Sequence, residues 1–312
     1  MNYTIIILCI ILIILLIYIN NDYKRLNTLI DKKLDLIYKK PFEIKDLEYT
    51  DNIIWSYWNS KKQPLSVKVC IYSWFFYNPD CIIIVLNDDN VKDFININEF
   101  PERIKNIKIK KEQVKSDVIR LSLLEKYGGL WLDATIYLNS HIDIMWVNKT
   151  YDVGGYFGEN FTTDINKKVF ENWFISAPKN SALIKEWKKE LFRAFNNYYN
   201  TNTYIHDLEI KDNVDLQNIG LLKYYLIMHC SFLKVIGNCQ YNILALPNKS
   251  QNGPFSYLTY LEFPIDGIIK LLLTDSFDNI PIIKFRGGMD TIFLENLWFL
   301  KSKKSTLHKF LL

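Results

Sequence analysis

The sequence predicts an α/β domain, a Rossmann-like and mostly parallel sheet flanked by helices, behind an N-terminal transmembrane helix. Three observations lead there. Short all-apolar runs such as "CIIIVL", Cys81 to Leu86, alternate with segments of helical period, as parallel strands covered on both faces alternate with their crossover helices. With 312 residues and 49% hydrophobic content, the chain can bury a sizeable core. The stretch "YTIIILCIILIILLIYI", Tyr3 to Ile19, runs for seventeen residues without a charge, the lower limit for a helix that crosses a bilayer.

The elements follow in order. "NNDYKRLN" succeeds the apolar leader and lacks the small residues of a cleavage site, so residues 1–20 read as an uncleaved anchor of a single-pass membrane protein. No Lys or Arg precedes it, whereas Lys24, Arg25, Lys32, Lys33, Lys39 and Lys40 follow, a bias toward a cytoplasmic C-terminal domain. Sequons at Asn148, Asn160 and Asn248 fit a lumenal domain, although an Asn-rich chain produces such triplets by chance; orientation and compartment stay open. Residues 21–50 read as a stem, with helical spacing at Leu26, Leu29, Ile30, Leu34 and Ile37.

Residues 51–312 carry the α/β pattern. "NIIWSYW" is a buried first strand, "PLSVKVCIYSWFFYN" a helix opened by Pro64, "CIIIVL" a second strand, and "NDDNV" starts another short helix. Strand, helix, strand at these lengths is a βαβ unit whose crossover should be right-handed. "EQVKSDVIRLSLLEKY" is a helix stopped by Gly128 and Gly129, a normal C-terminal signal, and "LWLDATIYL" is a strand. Then come a strand ("NWFISA"), a helix ("SALIKEWKKELFRAF"), a mostly helical stretch from about 215 to 236, and a last strand in "PIIKF".

Charge is near balance, with 38 basic against 34 acidic residues and a net +4. The basic residues are scattered, as in "KNIKIKKEQVK", with no arm or stripe for nucleic acid. Five cysteines form no C-x-x-C pair, which argues against zinc. Cys70 reads as a core residue, and a Cys230–Cys239 bridge would require an oxidising compartment.

The chemistry concentrates in "KSDVIRLSLLEKYGGLWLDATIYL", Lys115 to Leu138. Asp117, Arg120 and Leu124 share one helix stripe, and Asp133 ends an apolar run, although ionised groups are costly to bury without partners. An acid at the C-terminal end of a sheet strand, beside a change of strand order, sits where open α/β sheets bind ligands. Asp133 can carry charge there against a cation or hydroxyl groups, and magnesium or manganese takes carboxylate oxygens together with substrate phosphates. Asp117 and Arg120 can pair and still offer hydrogen bonds to a sugar or phosphate, Arg as a bidentate donor. On residue types alone, a structural ion pair and a strand-end Asp in a turn explain the same pattern.

The segment "SDVIRLSLLEKYGGLWLDATIYL" resembles the signature region of glycosyltransferases whose sugar-binding region carries a DxD motif. By pattern it is most similar to the capsular polysaccharide synthesis glycosyltransferases, in which a Ser-Asp-x-x-Arg helix precedes Tyr-Gly-Gly, an aromatic residue and a strand ending in Asp. The likeness runs from about Ile53 to Phe195 through "IIWSYW", "SVKVCIYSWFFYNPDCIIIVLND", the segment above and "ENWFISAPKNSALIKEW", in that order. The resemblance implies a GT-A type nucleotide-sugar transferase domain over residues 51–312, a UDP- or GDP-linked donor and Mn2+ or Mg2+. By position, Asp117 and Arg120 match the pair that holds the donor's sugar and phosphates, and Asp133 matches the first acid of DxD, near ribose and metal. The triplet departs at its third residue, Thr135 instead of Asp, as in the Asp-Ala-Thr form of the capsular-type relatives; Asp133 and Thr135 are then the metal candidates.

Trp55 matches an aromatic that stacks on the nucleotide base, an interaction open to any π-face; a core Trp on a buried strand is the equal alternative, and Trp58 is a second candidate. Asn172 and Trp173 match a segment that faces the transferred sugar and the acceptor. His206 and His229 could complete a metal site, and Arg286 with Asp290 in "FRGGMD" could close over the diphosphate. The resemblance thus implies a glycosyltransferase with catalytic Asp133, Arg120 and Asp117 and retention of anomeric configuration; the apolar leader makes it membrane-anchored, which suits a glycan or lipid-linked acceptor. The rival is a catalytically inactive, membrane-tethered carbohydrate or nucleotide-sugar binding protein, for which Thr135 is the main argument.

Overall fold

A computed structural model describes residues 3–38, 44–48, 52–105, 112–142, 150–198, 200–237, 240–258 and 263–308. Asn148 and Cys239, and with Cys239 the bridge to Cys230, lie outside the described residues.

The first helix, α1 (Tyr3–Tyr38), is unbroken, so the expected boundary at residues 20–21 falls inside it. Its N-terminal part leaves large apolar side chains more than half exposed from Ile11 to Tyr18; by length and composition this helix could cross a membrane. Its C-terminal part is docked. Leu26, Ile30 and Leu34 are buried at i, i+4 and i+8, one face of a helix. Tyr23 donates to Glu295 at 2.5 Å, Lys68 pairs with Asp31 at 2.6 Å, and Lys301 pairs with Asp22.

The central sheet is built from β1 (Ile53–Tyr57), β2 (Ile82–Leu86), β3 (Gly129–Leu132), β5 (Val153–Phe157), β6 (Phe170–Ala177) and β7 (Ile243–Pro247). Their order is β2-β1-β3-β6-β5-β7. β6 alone runs against its neighbours; the β1–β2, β1–β3 and β5–β7 pairs are parallel. This is the mostly parallel α/β sheet that the apolar runs predict. Successive side chains of a strand point to opposite faces, so one strand feeds two cores. Trp55 and Trp131 pack with α5 (Glu112–Tyr127) and α6 (Ala182–Asn196). Ile54, Leu130 and Leu132 pack on the other face with α2 (Leu65–Tyr77) and the docked part of α1. Ser181 caps α6 by accepting from the Ile184 N–H at 3.3 Å.

One reading changes. "LWLDATIYL" is not one strand: it breaks after Leu132, turns through Asp133 to Thr135, and resumes as β4 (Ile136–Leu138). β4 pairs antiparallel with β8 (Ile282–Lys284) in a separate two-stranded sheet. The turn is held by the Ile136 N–H donating to the Asp133 carbonyl at 3.0 Å. Strands β5 and β7 had no clear signal, since "VGGYF" and "ILALP" interrupt their apolar runs with glycine or proline.

Candidate active site

The helix–strand hairpin from α5 to β3 builds the site. Gly128 and Gly129 take φ of +69° and +94°, a region that disfavours side chains. A Cβ on Gly129 would stand 2.6 Å from the Ile53 carbonyl oxygen, so only glycine lets β3 start against β1. The chain then runs back along its own helix. From Asp117 to the end of α5 is about 15 Å at 1.5 Å per residue, and from Gly129 to Asp133 is about 13 Å at 3.3 Å per residue. Two acids sixteen positions apart therefore meet at the C-terminal edge of β1 and β3, where the strand order changes direction.

Arg120 is the centre of the cluster, its side chain 4% exposed. Its NH2 lies 3.2 Å from Asp117 Oδ1 and 3.4 Å from Asp133 Oδ1. NH2 also donates to Ser116 Oγ at 3.1 Å, and NH1 donates to the Asn172 carbonyl. The guanidinium covers the Trp131 ring at 5.0 Å, while the Trp131 Nε1 donates to Asp133 Oδ1 at 3.0 Å. Asn172 Nδ2 donates to Asp117 Oδ1 at 3.0 Å. Asp117, Arg120, Asp133 and Asn172 thus converge.

The two acids are driven apart in acidity. Burial pushes Asp117 up to about 6, against the pull of Arg120 and His229, with Asp133 adding to the rise. Burial also raises Asp133, but Lys284 and then Arg120 outweigh it and hold that carboxyl below its ordinary value. At neutral pH Asp133 is the firmly charged acid, and Asp117 is the one that can take a proton.

Other candidates land elsewhere. Trp55 is fully buried, its Nε1 donating to the Gly128 carbonyl at 2.9 Å and its ring packed on Phe94 and Tyr127. It leaves no face for a base: the core alternative is correct, because the alternation of β1 points position 55 at α5. Trp173 follows Asn172 on β6 and takes the opposite face, stacked on Tyr156 at 5.1 Å; only its backbone joins the site, the carbonyl accepting from the Asp133 N–H at 2.9 Å. Trp58 follows β1, half-buried against the α2-side core. His206 is exposed on α7 (Thr201–Ile210). His229 is buried, its Nε2 3.4 Å from Glu171 Oε2. Asp290 is wholly buried, gripped by Arg286 Nε and NH2 at 3.0 and 2.6 Å and by the Tyr257 hydroxyl at 2.5 Å; that pair braces the turn after β8.

Two residues come as additions. Lys284 Nζ lies 3.1 Å from Asp133 Oδ2 and donates to Thr135 Oγ1 at 2.7 Å. Its signal was present, one charge inside the otherwise apolar "PIIKF", which implies a buried partner. Tyr225, more than half exposed, donates its hydroxyl to Gln113 Oε1 at 2.6 Å, in the first turn of the same helix α5; no sequence signal marks it.

The residues present do not fit a divalent cation. Both Asp133 oxygens and the Thr135 hydroxyl already answer Lys284, Arg120 and Trp131. Among the described residues, no group of three His, Cys, Asp or Glu could hold a metal ion. A +2 ion on Asp133 would also meet two cations at close range, and each unit-charge pair at 4 Å is worth about 4 kcal/mol at an effective dielectric of 20. In this structure Asp133 and Thr135 are partners of the Lys284 ammonium.

A family model described as "capsular polysaccharide synthesis protein" matches residues 15–213. The O-glycosyltransferase braB of Annulohypoxylon truncatum is 30% identical over 159 residues, covering 46% of this chain and 37% of that protein. The chain thus spans little more than a third of the length of that curated relative. Among solved structures, the PaToxG glycosyltransferase is 12% identical, with a TM-score of 0.35 over 70% of this chain and 91% of its own. The galactosyltransferase LgtC, in complex with donor and acceptor sugar analogs, is 13% identical, with a TM-score of 0.37 over 76% of this chain and 87% of its own.

Proposed function

Because this chain belongs to the capsular polysaccharide synthesis protein family, we propose that it is a membrane-anchored glycosyltransferase of GT-A type. In this reading it moves a sugar from a UDP- or GDP-linked donor to a glycan or lipid-linked acceptor. The observation that carries the proposal is the convergence of Asp117, Arg120 and Asp133 at one sheet edge, with Arg120 buried between the acids at 3.2 and 3.4 Å. From β6 the Asn172 amide is aimed at the same Asp117 carboxylate at 3.0 Å.

In the reaction the bond between the sugar's C1 and the diphosphate breaks, and the diphosphate leaves with the electron pair. The acceptor hydroxyl oxygen forms the new bond to C1, and its proton passes to the departing diphosphate. The barrier falls mainly by stabilising the charge that develops on that leaving group, with donors already in place. Arg120, held over Trp131 by Asp117, Asp133, Ser116 and Asn172 before substrate arrives, contributes the part of its charge that the two acids leave unanswered. Asp133 accepts from a ribose or sugar hydroxyl. Asp117 and Asn172 hold the transferred sugar. Attack from the face that the diphosphate leaves gives retention, and in this reading both carboxylates, paired with Arg120, serve as binding groups and not as nucleophiles. The exposed apolar run of α1 supplies the anchor.

The full-length chain in detergent, given a panel of nucleotide sugars, should release nucleoside diphosphate slowly with water as acceptor. Asp133→Asn should lower that release at least 100-fold while the variant keeps a cooperative melting transition, shifted down by the loss of its pairs with Arg120 and Lys284. Normal release by the variant refutes the site, and tight donor binding without any release favours the tethered binding protein that Thr135 suggests.

A further inference from the structure

Lys284 lies beyond the family match, which ends at residue 213, and no step above uses it. It is nevertheless firmly held at the site. Its N–H donates to the Pro254 carbonyl at 2.9 Å, its carbonyl accepts from the Tyr257 hydroxyl at 3.0 Å, and the next N–H, of Phe285, donates to the Thr135 carbonyl at 3.0 Å. The β4–β8 register pairs Ile136 with Lys284, which sets the ammonium beside the first and third residues of the Asp133-Ala134-Thr135 triplet. The side chain is 9% exposed, whereas that of Asp133 is 26% exposed, so the pair is open to a ligand from the Asp133 side.

Building on the transferase reading, we propose that Lys284 is the resident cation of the donor site. It stands in for a divalent metal, holding Asp133 and Thr135 and presenting charge to the donor's diphosphate, so that transfer proceeds without a metal ion. An ammonium has three N–H donors on a compact point charge. Asp133 and Thr135 take two, and the third serves a phosphate oxygen as the C1–O bond breaks and the nucleoside diphosphate leaves with its electron pair. Thr135 belongs to the same device. An Asp in that position would put a second carboxylate on the ammonium and cancel its charge toward the donor, whereas a neutral hydroxyl accepts the hydrogen bond and leaves the charge in place. The departure from DxD and the lysine on β8 thus explain each other.

The test uses the full-length chain in detergent. Release of nucleoside diphosphate should change less than twofold between EDTA and added Mn2+. Lys284→Met should lower release in EDTA by about 100-fold, the loss expected for one electrostatic contact to developing charge, and Mn2+ should restore it in part through the freed Asp133. Release that EDTA abolishes and Mn2+ restores in the parent protein overturns the inference and leaves the transferase reading standing. If no donor turns over, the transferase reading fails, and Mn2+ electron paramagnetic resonance still decides. Mn2+ held by the parent protein and lost in Asp133→Asn overturns the inference; Mn2+ held by Lys284→Met but not by the parent supports it.

Discussion

Replacing Arg120 by Met removes a buried charge while keeping most of the side-chain volume. Arg120 answers Asp117 at 3.2 Å and Asp133 at 3.4 Å, and its own exposure is 4%. Breaking a buried ion pair by removing one partner costs about 3–5 kcal/mol, because the other charge stays buried and uncompensated. The cost should depend on pH, and its sign follows from Asp117. Its folded-state acidity is displaced upward from 3.8 to about 6, so the folded state favours the protonated form. That contribution is fully present below about pH 4 and is lost as pH rises through about 6, a span of about 3 kcal/mol at 1.36 kcal/mol per pH unit. At pH 8 the variant must bury an unanswered Asp117 carboxylate; at pH 5 Asp117 carries a proton with or without Arg120. At about 2 °C per kcal/mol for a chain of this size, scanning fluorimetry should show Arg120→Met melting about 6–10 °C below the parent at pH 8 and about half as far below at pH 5. Adding Asp117→Asn should recover part of the loss at pH 8. A deficit equal at both pH values, or under 2 °C at pH 8, would refute the claim that Arg120 exists to hold these two acids.

Four further outcomes are expected. Deleting residues 1–20 should leave the melting temperature within about 2 °C, whereas deleting 1–40 strips Leu26, Ile30 and Leu34 from the core. At about 1.5–3 kcal/mol per buried side chain that second deletion should lower melting by 10 °C or more, and equal melting of the two forms would show that the docked half of α1 is dispensable. Trp55→Phe should melt lower than the parent through loss of its bond to the Gly128 carbonyl yet bind donor within twofold by calorimetry; unaltered melting with a large affinity loss would return Trp55 to the site. Gly129→Ala, with a Cβ 2.6 Å from the Ile53 carbonyl at φ +94°, should cost at least about 3 kcal/mol from strain and lost β1–β3 pairing, read as a collapse in folded yield. Donor affinity should rise between pH 8 and pH 5.5, since protonating Asp117 leaves Arg120 and Lys284 facing one charged acid, Asp133; a flat profile would count against Asp117 as the proton acceptor.

The chain alone determines its elements and much of the site. Apolar period and length mark β1, α2, β2, α5, β6 and α6 to within a few residues, and the Gly128–Gly129 stop implies a hairpin that returns Asp133 toward Asp117 and Arg120. These are local facts, carried by spacing and turn chemistry within some twenty residues. What the tertiary structure alone decides is long-range. "LWLDATIYL" breaks at Asp133 because its second half finds β8 rather than continuing in the central sheet. The direction of Trp55 and Trp173 depends on which face of the sheet each strand register presents, and a one-residue difference reverses it. The stem reads as a spacer until its Leu26, Ile30 and Leu34 stripe is seen to have a partner surface on α2. Lys284 meets Thr135 across 149 residues; a charge in an apolar strand announces that it needs a counter-charge, but only the pairing of β4 with β8 says which one.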